Sequence, residues 1–241
     1  MRKKEYIHEE SVHNMNDPRK IVPIVLNCLP YKVNSVIDFG CGTGTWLRAF
    51  KESGVKDILG IDGNWCNRNL LFENIDESEF MNSDLEKLIS LPRSYDLVVS
   101  LEVAEHLSEQ SADVFVKSLI SAGNTILFSA AIPGQGGFNH INEQWPSYWI
   151  CKFQEYGYCV YDIIRDQIAD DEKIFSWYKQ NMILFVHKDI KMPMDSFYSD
   201  KYIFLDYYKS KLEELEQINS GKRGISFYFF RLLKSITNKL R

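Results

Sequence analysis

Apolar positions along this chain follow two alternating rhythms. Short runs rich in Val, Ile, Leu and Phe have no polar side, as expected of strands covered on both faces. They fall at about 33–39, 57–62, 79–81, 95–100, 124–130, 158–165 and 182–187. Between them, apolar residues recur three and four apart, the spacing of one helical face. That spacing predicts helices at about 17–30, 45–53, 111–122 and 146–156, with Pro23 pointing to a short first turn in the first of these. Seven strand-like runs separated by helices imply an α/β sheet.

The first run ends in an acid and a turn: Asp38-Phe39-Gly40-Cys41-Gly42-Thr43-Gly44, with a helix pattern starting at Thr45. Glycine allows positive φ and lets a ligand lie on the backbone, while unpaired N–H groups at the helix start favour an anionic group. This is a nucleotide-type cofactor site, or else a structural turn without a ligand. A dinucleotide fingerprint would place a third small residue at position 45, where this chain has Thr45. Cys41 fits such a turn because it is small. The second run ends at Asp62, where a βαβ unit places a carboxylate for ribose hydroxyls; a simple turn Asp before Gly63 is the other reading.

Further on, Asp84 reads as an N-cap for 85–88. The fourth run ends at Ser100 and continues Leu101-Glu102-Val103-Ala104-Glu105-His106-Leu107. On a helical turn Glu102, Glu105 and His106 would share a face, with His106 either a structural partner of Glu102 or a proton carrier. The fifth run opens into a Gly- and Pro-rich loop, 131–149, that carries Gln135, His140, Asn142, Glu143, Trp145, Tyr148 and Trp149. Long polar and aromatic loops at a strand's carboxyl end are where substrates are held. Upstream, His13 and Asn14 are either solvated or part of a lid. The Trp177-Tyr178-x-Gln180-Asn181 segment is either an aromatic brace or a substrate contact.

Composition changes this picture little. At 45% hydrophobic and 25% charged residues, the chain matches ordinary globular proteins, and no apolar run reaches the ~18 residues of a membrane span. A cytoplasmic location is expected. Its five cysteines form no C-x-x-C pair. Charge is uneven: residues 220–241 carry six cations and no acid, leaving −11 on the remainder against −5 for the whole chain. An acidic body argues against a nucleic-acid surface, whereas the basic amphipathic stretch at 222–241 suits an anionic membrane, the domain itself or a second subunit. A second amphipathic helix is expected at 197–219. The division expected is a domain at 1–190, with a cap segment at 1–30, and a helical extension at 191–241.

The run Asp38-x-Gly40-x-Gly42-x-Gly44 resembles the first motif of class I S-adenosylmethionine-dependent methyltransferases, and Ser100–Leu107 resembles their fourth. "FSAAIPGQGG", "HINEQWPSYW" and "WYKQN" are similar to a subgroup associated with bacterial surface polysaccharide and nucleotide-sugar modification. The resemblance implies a Rossmann-like seven-stranded sheet with an antiparallel last strand and helices on both faces. It implies S-adenosylmethionine as cofactor, held by Asp38, Gly40, Cys41, Gly42, Gly44, Asp62, Asp84, Leu85, Ser100 and Glu102, with Asp84 on the adenine amino group and Leu85 against its ring. The activity implied is O-methylation of a sugar hydroxyl. Methylation of another small molecule, a lipid head group or a protein, a non-catalytic cofactor-binding module and a nicotinamide enzyme are the alternatives. A hydroxyl needs a base near neutrality, which points to His140 oriented by Glu143 or Glu102, with His106 the second candidate. His13, Asn14, Gln135, Asn142, Trp145, Tyr148 and Trp149 are the expected substrate contacts, with aromatic core packing the equal alternative for Trp145, Tyr148 and Trp149. No tight carboxylate set or H-x-x-x-H pair asks for a metal.

Overall fold

The structure is a computed structural model that describes residues 14–195, 197–198 and 203–239. The chain divides into two compact units, Met1–Tyr202 and Ile203–Arg241. In the first, β1 (Ser35–Phe39), β2 (Asp57–Asp62), β3 (Phe80–Asn82), β4 (Leu97–Leu101), β5 (Thr125–Ser129), β6 (Tyr158–Tyr161) and β7 (Ile183–His187) form one sheet ordered β3-β2-β1-β4-β5-β7-β6. β1 to β5 pair in parallel, and β7 runs antiparallel between β5 and β6. This is the Rossmann-like seven-stranded sheet with an antiparallel last strand that the sequence implies. The strand order reverses between β1 and β4, which opens a crevice beyond their carboxyl ends.

Side chains alternate across the sheet and feed two cores. Val36, Leu97 and Val99 face α1 (Asn16–Cys28), through Ile21, Val22 and Val25, and α2 (Thr45–Glu52), through Leu47 and Phe50. Ile37, Val98 and Phe128 face α4 (Ala112–Ala122), through Phe115 and Leu119, and α5 (Pro146–Gln154), through Trp149 and Phe153. Each such fully buried side chain contributes about 1.5–3 kcal/mol of transfer free energy. Short helices α3 (Arg68–Phe72), α6 (Arg165–Ile168) and α7 (Ser176–Asn181) fill the remaining connections.

Four local expectations are corrected. Pro23 lies inside α1 and opens no helix; it is exposed, so the carbonyl it leaves unpaired is on the solvent side. The run expected at 158–165 stops at Tyr161, and Arg165 instead begins α6, its buried guanidinium bound to the Asp162 carboxylate and the Gln180 carbonyl. Residues 85–88 form a turn in place of a helix, because the buried Leu85 anchors the chain while Asp84 Oδ1 accepts from the Glu86 N–H. The helix expected from 197 begins only with α8 (Leu205–Asn219).

In the second unit, α8 is followed by the positive-φ Gly221 and α9 (Ile225–Lys239). Phe229, Phe230, Leu232, Leu233 and Ile236 of α9 are exposed. Among the described residues, no helix is long and apolar enough to cross a membrane.

The turn after β1 is held by steric fit. Gly40 has φ of +85°, and a Cβ there would stand 2.4 Å from Val103 Cγ2, just beyond β4. Gly40→Ala should therefore lower stability by roughly 2–4 kcal/mol. The double variant with Val103→Ala should recover the packing part but not the backbone part, as read by urea unfolding. An unchanged midpoint in Gly40→Ala would show that the turn is not closed in this way.

Candidate active site

The carboxyl ends of β1, β2 and β4 converge on a group of acids. Asp62 Oδ2 accepts from the Gly42 N–H at 2.8 Å and Oδ1 from the Gly63 N–H at 2.6 Å, which ties the glycine turn to the end of β2. Gly40 and Cys41 donate their N–H groups to the Ile61 carbonyl. Gly42 and Gly44 have φ of 53° and 75°, values that an L side chain rarely adopts. The Ser83 N–H and the Asn82 side-chain amide bind the Asp62 carbonyl, bringing Asp84 and Leu85 to the same edge. Burial raises the Asp62 carboxyl, opposed by its bonds from Gly42, Gly63 and the Trp65 indole. Burial, with Asp62 beside it, pushes Asp38 up to about 8. The buried hydroxyls of Thr43 and Ser100 have no hydrogen-bond partner.

Glu102 stands at φ of 54°, a strained value for a non-glycine residue. Its N–H binds Ser129, and its carboxylate accepts from Gln135 Nε2 at 2.8 Å and Asn181 Nδ2 at 3.0 Å. Asn181 also donates to Gln135 Oε1 at 2.8 Å. Burial raises Glu102, and these donors pull it down. Glu102, Glu105 and His106 do not share a helical turn, because positive φ at Glu102 breaks the chain before a short 3₁₀ turn over Ala104–His106. His106 consequently meets His140, ring centroids 4.9 Å apart, in place of Glu102.

Glu143 organises the loop after β5. Its oxygens accept from the N–H groups of Gly134 at 2.8 Å and Gly136 at 2.7 Å, and from His140 Nδ1 at 2.9 Å. Burial would raise its carboxyl, but these bonds outweigh burial and hold it below the ordinary range. Gly137 leaves room for the His140 ring, since a Cβ there would lie 2.2 Å from Nε2. The Glu105 carbonyl accepts from Ile141 and Asn142, fastening the far side of the loop beside β4. Burial, then His140, pushes His106 down to about 4, while its bond to the Asn139 carbonyl opposes that shift. Glu105, His106 and His140 each offer a donor atom, and the three atoms lie within 4.8 Å of one another. No sequence pattern announces this trio, because His140 is remote in sequence and joins the other two only through the loop.

The remaining expected residues separate. Gln135 and Asn142 belong to the polar network, Asn142 Oδ1 accepting from Gln144. Trp145 is exposed and Tyr148 lies between Lys152 and Trp149. Trp149 is 2% exposed against Phe128, which corrects its assignment as a substrate contact: it faces the core from α5. Asn14 sits with Thr43, Thr45 and Asn74 around a cavity of about 320 Å³ beside the glycine turn. His13 lies outside the described residues. Sequence reasoning passed over Trp65, whose ring covers Gly63, and left the role of Asn181 open; an aromatic residue so soon after a strand-end acid was the available signal for the first.

A mostly parallel sheet with a reversal point, a glycine turn and strand-end acids is the frame of an α/β protein with a nucleotide-type cofactor site. A family model described as a methyltransferase domain matches residues 12–132, half of the chain. The chain belongs to this methyltransferase family, and its fold is that of S-adenosylmethionine-dependent enzymes. Among solved structures it is similar to the amino pentose methyltransferase CalS10 from Micromonospora echinaspora (10% identity, 77% of this chain and 100% of that one, TM-score 0.56). It is also similar to DesVI of Streptomyces venezuelae (14%, 72% and 91%, 0.55) and to the methyltransferase domain of the bacterial protein CtHen1 (22%, 72% and 100%, 0.51). At these identities the likeness concerns the fold. No curated protein matches.

The raised Asp38 gives a pH prediction. Unfolded, its carboxyl ionises near 3.8; folded, near 8, so the fold binds a proton in that window and loses stability as pH rises through it. Asp38→Asn cannot ionise. Its stability advantage over wild type, measured by urea unfolding without cofactor, should grow from pH 4 to pH 8 to on the order of a few kcal/mol and then level off. A difference independent of pH would refute the shift.

Proposed function

We propose that this methyltransferase transfers the methyl group of S-adenosylmethionine to a hydroxyl of a sugar, either nucleotide-linked or part of a surface-polysaccharide precursor. The observation that carries the reading is the Glu143-braced loop, which sets His140 beside the residues leaving β4. The glycine turn, the paired acids Asp38 and Asp62 and the unsatisfied Thr43 and Ser100 hydroxyls fit the cofactor: polar groups buried without partners at this edge await a polar ligand.

When bound, S-adenosylmethionine supplies an electrophilic methyl on a sulfonium. The Gly40–Gly44 backbone would take its methionine part, Asp62 its ribose hydroxyls and the Asp84-Leu85 segment its base. Transfer removes the acceptor's O–H proton, forms an O–C bond and breaks the C–S bond, with the electron pair remaining on sulfur. The chain's contribution is to hold the acceptor oxygen in line, which supplies most of the rate, and to assist loss of its proton at the His140 end of the loop. Exposed Trp145 offers a flat surface for a sugar ring.

Titration calorimetry should show one S-adenosylmethionine bound per chain and no NAD; the absence of the former would sink the reading. In a mass-spectrometric screen, a nucleotide sugar should gain one methylene mass, and His140→Ala should slow that conversion about 10²-fold or more. Methylation confined to lipids or proteins would overturn the sugar assignment.

A further inference from the structure

The most anomalous group in the first unit is Glu105. It is 0% exposed, and neither carboxylate oxygen has a hydrogen-bond partner of normal geometry, although the N–H groups of Glu105 itself and Ala131 lie nearby. A carboxylate buried in this way costs several kcal/mol unless a cation meets it, and a protonated carboxyl would still leave its O–H unsatisfied. Glu102 and Glu143 stand near enough to add negative charge around it, and two histidines bring donor atoms that lie with its own inside 4.8 Å.

Each imidazole is also oriented from behind. His140 Nδ1 is held by Glu143 at 2.9 Å, which leaves Nε2 as its donor to the cluster, and His106 gives a ring N–H to the Asn139 carbonyl. Ligating histidines commonly carry such outer partners, a carboxylate or a backbone carbonyl that fixes the ring and its tautomer. Both arise from the loop after β5, which is in turn fastened to the Glu105 carbonyl through Ile141 and Asn142. The three groups therefore converge because the backbone holds them there.

We propose that Glu105, His106 and His140 bind one divalent first-row transition-metal ion. Two imidazoles and one carboxylate are a facial set for such ions and leave coordination positions open, whereas Mg²⁺ and Ca²⁺ prefer oxygen ligands alone. Resting on the methyl-transfer reading above, the proposal gives the open positions to the acceptor hydroxyl. A metal-bound hydroxyl loses its proton to water more readily, so His140 acts as a ligand, and no separate base is needed.

The test uses the full chain after treatment with chelator, with Mn²⁺ as the probe and the free-ion electron paramagnetic resonance signal as the readout. One equivalent of Mn²⁺ should be taken up per chain. Glu105→Gln, close to isosteric, should weaken uptake about 100-fold, and Glu143→Gln, which reaches the cluster only through His140 while also accepting from Gly134 and Gly136, roughly 10–100-fold. Circular dichroism and S-adenosylmethionine titration of the same variants establish that they are folded. Undiminished free-ion signal with wild type at millimolar Mn²⁺, or equal uptake by Glu105→Gln, would overturn the site. S-adenosylmethionine binding without Mn²⁺ uptake would sink this proposal alone, and Mn²⁺ uptake without cofactor binding would sink the methyl-transfer reading and leave the site standing.

Discussion

The contact on which the site depends is the closure of the turn after β1 against the chain leaving β4, where a hydrogen atom is all that Gly40 can present to Val103. That contact sets how closely two strand ends approach at the reversal point of the sheet. Glu102 lies one residue before Val103 and Glu105 two after it, so their placement follows from this approach. A bulkier turn would move both acids away from the crevice. The backbone pays with positive φ at Glu102, and the bonds its carboxylate accepts from Gln135 and Asn181, with the one its N–H donates to Ser129, keep it there.

Apart from the Trp149 indole, the buried side-chain polar groups left without partners among the described residues of the first unit gather at the same edge. Thr43, Ser100, Glu105, Asn142 and Asn181 each have a buried side-chain atom without a hydrogen bond. The opposite ends of the strands show closed bonds instead: Tyr31 reaches Thr125 and the Asp96 carbonyl, and Asp96 takes the N–H groups of Asn34 and Ser35. A fold selected for stability alone would close both ends alike. Unclosed polar atoms at one end mark where binding energy is held in reserve for ligands.

How far the sequence could be read depended on how local each signal was. Strands and helices announce themselves through neighbours two or four positions away, so the seven strands and the glycine turn were legible before any coordinates. Glu143 was legible, for the same reason, as one of two candidate partners of His140 beside Glu102. The partners of Glu102 were not, since Gln135 and Asn181 come from the loop after β5 and from α7. Trp149 was left between substrate contact and core among the loop's aromatics, although its spacing with Ile150 and Phe153 describes one buried helical face. Arg165 looked like a strand end because nothing near it shows that Asp162 and the Gln180 carbonyl would bury its charge. The burial of Glu105 had only a weak signal, its apolar neighbours Val103, Ala104 and Leu107.

The loop after β5 illustrates how a glycine-rich segment can be ordered without regular structure. Gly134 and Gly136 have positive φ, so their N–H groups turn toward a single point. Glu143 fills that point, and His140 completes the set. Because a carboxylate accepting several N–H bonds strongly favours its charged form, removing any one donor weakens its hold on the others. The Gly-Gln-Gly-Gly sequence is therefore a rigid device: glycines supply donors, one acid gathers them, and the histidine ring lies in the space that Gly137 leaves free. Conformational freedom in the unfolded loop is exchanged for a fixed ring orientation. That fixed orientation is what lets a histidine from one strand connection address groups at the end of another.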